Sequence, residues 1–237
     1  MKTIKTLLVL AVMLVISNSS YAHALWIEAN SNGQKGKSQE VKIFYGEFAT
    51  GEIEPVNKWY SDVKEFTLWL TGPDQKREKV TVSQKNDHFV AQFTPETDGV
   101  YYLTVVHDAK EIAGKTKYEF SSVAAVNVGK SAVSGHNHIE NSLKVITSQT
   151  QAKVSSPTKI QVFMDGAPQA KGKVIVTSEN GWAKEFTANE AGEITFSPIW
   201  KGKYVLEATN FKKGEGELHG NAYESTWQGA TTVMYVL

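Results

Sequence analysis

Between residue 23 and Leu237 the chain alternates two kinds of short segment, and this alternation limits the folds open to it. Runs rich in Val, Ile, Thr and aromatics, such as "EVKIFYGEF", "EFTLWLTG", "HFVAQFTP", "VYYLTVVHD", "SSVAAVNVG", "TKIQVFMDG", "KVIVTSENG", "EITFSPIW" and "KYVLEATN", are broken by Gly, Asp, Asn and Pro. Such runs suit a pleated, half-buried surface, and the breakers supply turns. No stretch of twelve residues repeats its apolar positions with the 3.6-residue period of a helix. The expectation is an all-β protein built of two antiparallel β-sandwiches.

The first residues read differently. Lys2 and Lys5 precede an apolar run from Leu7 to Ile16, followed by small polar residues. The run is too short to span a bilayer and has the layout of a secretory signal peptide. Residues 1–22 are therefore set aside as a cleaved leader. Ser20 and Ala22 suit a cut after Ala22, which leaves His23 as the first residue. Ala22 and Ala24 equally suit a cut after Ala24, which discards it. The expectation is an exported, periplasmic protein with no direct membrane insertion.

The chain has no cysteine, so a lipid-anchored cysteine, a disulfide framework and a thiolate metal site are excluded. Its 25 basic and 25 acidic residues balance. Nucleic acid is not an expected partner, since that would need a basic stripe. There is no G-x-S-x-G elbow, P-loop, H-E-x-x-H or G-x-G-x-x-G, so the expectation is a protein that is not an enzyme. The carboxylate pairs Glu52/Glu54 and Glu215/Glu217 read as exposed loop charges.

The halves divide at a polar stretch, giving an expected immunoglobulin-like sandwich over 23–130, a linker over 131–143 and a second sandwich over 144–237. In the first half, "FTPETDGVYYLTVVHD" reads as a Pro-containing turn into an aromatic strand. The second half, from Asp165 to Leu206, resembles transthyretin-like, carboxypeptidase-regulatory sandwiches. Its turns are expected at Asp165-Gly166, Asn180-Gly181 and Glu190 to Gly192. The tryptophans read mostly as core.

With cysteine absent, histidines are the strongest ligands for Ni, Co, Cu or Zn. His23, if terminal, offers an α-amine and a ring nitrogen that close a six-membered chelate. His88 and His107 flank "FVAQFTPETDGVYYLTVV"; if that segment is a hairpin, the two lie level at one end of the sandwich, within reach of His23. His136 and His138 in "GHNHIE" project to the same side of an extended segment. His219 reads as a loop residue.

The opening "AHALWIEA" resembles the AH-x-x-W-[IL]-E start of the DUF4198 proteins. The blocks "VKIFYGEFATGEIEPVNKWYSDVKEFTLW", "GWAKEFTANEAGEITFSPIWKGKYVLEATN" and "GEGELHGNAYESTWQGATTVMYV" are similar to the rest of that family's pattern. The resemblance implies a periplasmic protein associated with nickel or cobalt uptake, with His23 as its ligand. The expected function is thus a metal-binding accessory protein. It would capture Ni, Co or Cu through His23, His88, His107, His136 and His138 and pass it to a membrane transporter or outer-membrane receptor. The alternatives are a non-catalytic adhesion or carbohydrate-binding module and an oxidative copper enzyme; the latter lacks any motif for the remainder of such a site.

Overall fold

The computed structural model describes residues 23–130 and 139–237; the expected leader and the first part of the expected linker, with His136 and His138, lie outside the described residues. Among the described residues the regular structure is strand with three short 3₁₀ turns, so the all-β class holds. In chain order the first ten strands are β1 (Ala24–Ala29), β2 (Asn32–Gly33), β3 (Gln39–Glu47), β4 (Glu52–Ile53), β5 (Leu68–Thr71), β6 (Arg77–Val80), β7 (Val82–Gln84), β8 (Phe89–Phe93), β9 (Gly99–Asp108) and β10 (Thr116–Val128). Nine follow: β11 (Leu143–Thr147), β12 (Gln151–Ala152), β13 (Thr158–Met164), β14 (Ala167–Pro168), β15 (Lys173–Ser178), β16 (Ala183–Thr187), β17 (Glu193–Phe196), β18 (Gly202–Leu218) and β19 (Asn221–Val236).

One pairing plan occurs twice. β3 lies between β1 and β8 and takes β4 on its end; β13 lies between β11 and β17 and takes β14 in the same way. β9 pairs β5, which pairs β6, just as β18 pairs β15, which pairs β16. Each copy closes with a long strand, β10 or β19, that also takes a two-residue strand, β2 or β12. The sequence carries the repeat where the chain enters β9 and β18: "FTPETDGVYYL" at 93–103 and "FSPIWKGKYVL" at 196–206 share F-[TS]-P-x-x-x-G-x-Y-x-L. In both, the tyrosine hydroxyl reaches back four residues. Tyr101 donates to the Thr97 carbonyl and accepts from its amide, each at 3.1 Å. Tyr204 does the same with Trp200, at 3.1 and 3.0 Å.

This motif corrects the expected hairpin over 88–107. β8 belongs to the sheet of β1 and β3, whereas β9 belongs to the sheet of β5 and β10. The segment between them therefore crosses from one sheet to the other, and the tyrosine braces the crossing. His88 and His107 are not cross-strand neighbours.

Each copy encloses its own core. Leu25, Ile27, Ile43 and Phe89 face Leu68, Leu103 and Val126 in the first; Leu143, Val145 and Ile160 face Val176, Leu206 and Met234 in the second. The copies join where β10 and β19 run parallel, with Ser122 beside Thr231, which merges their second sheets into one of ten strands. Pairing is thus not wholly antiparallel: two strands that end equivalent copies meet side by side in the same direction. The outer face of β1 and β3, with Trp26 and Phe44, packs on Val205 and Val233. The outer face of β11 and β13, with Ile146 and Phe163, packs on Val100, Tyr102 and Val123. The middle of the large sheet is therefore covered on both faces. That is why "GVYYLTVV" and "SSVAAVNV" read as near-continuous apolar runs rather than alternating ones. Burying each of these large side chains contributes roughly 1.5–3 kcal/mol.

Candidate metal centre

The site forms where β1 begins and β3 ends. In register, Ala24 lies across from Gly46, and Gly46 lies across from Ile53 on its other side. His23, the residue before Ala24, is thereby brought to the carboxylates Glu52 and Glu54, which flank Ile53. Glycine at 46 is what lets β4 approach: a Cβ there would lie 2.3 Å from the Glu52 carbonyl oxygen. The turn between the strands is one 3₁₀ turn, Phe48–Thr50. Glu47 caps it by accepting from the Ala49 amide, and Gly51 ends it in the left-handed region at φ 72°. The Glu54 amide donates to the Tyr45 carbonyl at 2.9 Å, and its carbonyl accepts from the Trp59 indole at 3.0 Å. The backbone of Glu54 is therefore held through both its amide and its carbonyl, and Glu52 is held by its pairing with Glu47.

His23 Nε2 lies 3.2 Å from Glu54 Oε1, and its ring stacks on Tyr45 with centroids 5.5 Å apart. One donor atom from each of His23, Glu52 and Glu54 lies within 4.8 Å of the others, and among the described residues no other histidine and carboxylate group meets that condition. A metal bonded at roughly 2.1 Å needs ligand atoms no more than about 4.2 Å apart. His23 is half-exposed and Glu52 exposed, so small rotations close the difference. An imidazole with two carboxylates is a borderline donor set suited to first-row divalent ions.

Two further carboxyls lie close by, and burial favours the neutral form of each. Burial raises the Glu47 carboxyl above its ordinary range; the Ala49 amide and the charge of His23 oppose the rise, and Glu52 adds to it. Glu47 Oε2 is buried with no hydrogen-bond partner. Glu207 lies on the face of β18 that β1 and β3 cover, next to Val205. Burial first, and then the charge of Glu47, push it up to about 8.

The other expected ligands lie elsewhere. His88 packs on Phe44, centroids 5.1 Å apart, with its Nδ1 2.6 Å from Asp87 Oδ1. Phe44 and Tyr45 are adjacent on β3 and face opposite ways, so His88 and His23 lie against opposite faces of the sheet. His107 Nε2 lies 3.0 Å from Asp62 Oδ1, which also accepts from the Lys110 amide. His219 occupies the two-residue turn between β18 and β19 with Gly220, both at positive φ, as that hairpin type requires. The site thus brings together His23 and the two glutamates read from sequence as loop charges. The signal for them was the Gly46 and Gly51 pair, which marks a close return of the chain.

Beside His23 and Glu54 opens a cavity of roughly 420 Å³ walled by Tyr45, Tyr60, Tyr118, Phe120 and Trp227, with Lys58 at its edge. Glu54, Lys58 and Tyr60 come from the segment 54–67 between β4 and β5. The second copy joins its equivalent strands, β14 and β15, through 169–172 alone. Part of the candidate centre and of its cavity thus comes from a segment added to one copy of a repeated plan.

Among solved structures, Salmonella alpha-2-macroglobulin reacted with methylamine is 10% identical, with a TM-score of 0.30 over 91% of this chain and 15% of that one. A DUF4785 family protein from Legionella pneumophila is 15% identical, with a TM-score of 0.31 over 77% of this chain and 52% of that one. The chain spans only those shares of their lengths, and likenesses this distant carry no argument. No curated protein matches it. The family described as a domain of unknown function, DUF4198, matches residues 20–211, and the chain belongs to that family.

Proposed function

We propose that this protein is a metal-binding accessory protein that captures a divalent transition metal, nickel, cobalt or copper, outside the inner membrane for an uptake system. The observation that carries the reading is the meeting of His23, Glu52 and Glu54 at a half-exposed position. In this reading export removes residues 1–22. The new α-amine on His23 then joins Nδ1 as a second nitrogen ligand, the six-membered chelate closing once the half-exposed ring turns Nδ1 rather than Nε2 toward the carboxylates, and amine and carboxylates together favour binding at neutral pH. The two copies act as two β-sandwiches, 23–130 and 144–237, supported by their separate cores. The second serves as a platform against which β1 is fixed. No step of catalysis is needed; capture and release suffice, and a membrane transporter or an outer-membrane receptor would receive the ion.

Calorimetric titration of protein that begins at His23 tests this. Binding should be micromolar or tighter, with copper tightest by the Irving–Williams order whatever the biological metal. His23→Ala should weaken it by about tenfold or more, since even an outer-shell partner is worth roughly 10–100-fold. Binding no tighter than millimolar for every first-row divalent ion ends the reading.

A further inference from the structure

The aromatic cavity beside the candidate centre is larger than a bare ion needs. Its roughly 420 Å³ falls in the about 300–1,000 Å³ range of pockets for small organic ligands. It shares His23 and Glu54 with the metal cluster, so any ion on those side chains has the cavity on its open side. Nickel and cobalt take up to six ligands, and the protein offers three side chains and at most one amine. The remaining positions fall to exogenous donors, and the space they enter is walled by rings.

Those rings form one connected surface. Tyr118 lies 5.5 Å from Trp227 and 5.8 Å from Tyr60, and Phe120 lies 5.5 Å from Trp227, all centroid to centroid. Tyr118 and Trp227 are register partners on β10 and β19, so the wall is built at the seam between the two copies. The indole lies flat along β19 because residue 229 is glycine: a Cβ there would sit 2.3 Å from the ring. Once His23 and Glu54 are spent on a metal, Lys58 is the charged side chain left on this wall.

We infer that the protein takes its metal as a chelate, with a planar, anionic, bidentate organic ligand in the aromatic cavity and its carboxylate toward Lys58. This rests on the metal-capture reading above. Such a ligand completes the coordination sphere, stacks on Tyr118 and Trp227, and places its negative charge near the lysine ammonium.

The test uses protein beginning at His23 and the preformed one-to-one complex of Ni²⁺ with picolinate, followed by calorimetry and tryptophan fluorescence. The complex should bind at least about tenfold more tightly than aquated Ni²⁺, with quenching that Trp227→Phe removes. Lys58→Gln, at an exposed position, should weaken the complex several-fold and leave aquated Ni²⁺ within about twofold. Equal affinity for complex and ion, or picolinate stripping the nickel without a ternary species, overturns the inference while leaving metal capture intact. Binding of the complex without binding of the ion supports the inference and rejects bare-ion capture. Binding of neither rejects both. Binding of choline to the metal-free protein in competition with the nickel complex would assign the cavity to organic cations and overturn the inference as well.

Discussion

The hydroxyl of Thr231 donates to the carbonyl of Leu25 at 2.6 Å, two residues from the candidate ligand His23. The Ile27 amide donates to the Ser122 hydroxyl at 3.1 Å, and the two hydroxyls lie 2.9 Å apart. β1 is an edge strand of its own sheet. Two buried side chains from adjacent strands of the other sheet therefore satisfy its free edge where a ladder would otherwise be needed. Thr231→Val keeps the shape and removes the donor. It should cost about 1–3 kcal/mol by chemical denaturation, the penalty for leaving a buried carbonyl unpaired. Nickel affinity should also fall, because His23 loses the anchor of its strand. Unchanged stability would show that the contact holds nothing.

Gly46 sets the distance between β3 and β4. Gly46→Ala forces a Cβ to 2.3 Å from the Glu52 carbonyl and demands φ near 155°, which L residues rarely adopt. The strand end must open, taking Glu52 and Glu54 away from His23. The expected result is loss of most metal affinity, with a stability change of about 1–3 kcal/mol. Full metal affinity in a folded Gly46→Ala protein would count against the cluster as the site.

The repeated tyrosine brace makes a matched pair of predictions. Tyr101→Phe removes three hydrogen bonds, the Thr97 hydroxyl being the third partner, and Tyr204→Phe removes two, each from a buried ring; each should destabilise by about 1–2 kcal/mol. Only Tyr204→Phe acts in the copy that carries no candidate ligand. Both variants should nonetheless bind nickel normally, because neither brace touches the ends of β1, β3 or β4. Calorimetry on the two, run beside denaturation curves, checks both halves of the statement.

Much of this was legible in the residues, and the part that was not has a physical reason. Strand content followed from alternation and turn chemistry, which are local. The turns at Asp165-Gly166 and Asn180-Gly181 were visible because glycine there adopts positive φ. His23 stands out in the sequence from the leader layout and from the opening "AHALWIEA". What brings Glu52 and Glu54 to it is a three-strand register through Gly46, and register is a long-range property. "FTPETDG" reads as a turn, and the sequence leaves a hairpin open there because proline and Asp-Gly mark any reversal. The tyrosine two residues beyond Gly99, and the same spacing at Gly202 and Tyr204, were the cue that the chain changes sheets. The same repeat identifies 54–67 as the segment where one copy departs from the other.

Asp62, within that segment, ties it to the end of β9 and the chain just beyond. Burial raises its carboxyl, but the Lys110 amide and His107, at 2.9 and 3.0 Å, and the Lys110 ammonium outweigh burial and hold it at about 2. Its folded pKa lies below the ordinary 3.8, so its contribution is present above pH 3.8 and is lost as pH falls toward 2. The difference in unfolding free energy between wild type and Asp62→Asn should shrink by about 2 kcal/mol between pH 5 and pH 2. A difference that does not vary with pH would mean the carboxylate's charge plays no part.

Glu207 works in the opposite sense. Its folded pKa of about 8 lies above the ordinary 4.5, so the folded chain keeps a proton that the unfolded chain has released. Between pH 4.5 and 8 the native state binds more protons, and stability falls as pH rises. The decline is at most about 1.4 kcal/mol per pH unit and up to about 5 kcal/mol across the window. Below pH 4.5 both states are protonated and the slope vanishes; above 8 both are ionised and the full cost remains. Glu207→Gln holds the neutral shape at every pH, so it should be stabilising at pH 8, near neutral in effect at pH 4.5, and should remove this part of the slope. The comparison is made on metal-free protein, because a cation beside His23 would also bear on Glu47, whose charge raises Glu207. Parallel stability curves for wild type and Glu207→Gln from pH 4.5 to 8 would show that the carboxyl is ionised in the native state at neutral pH.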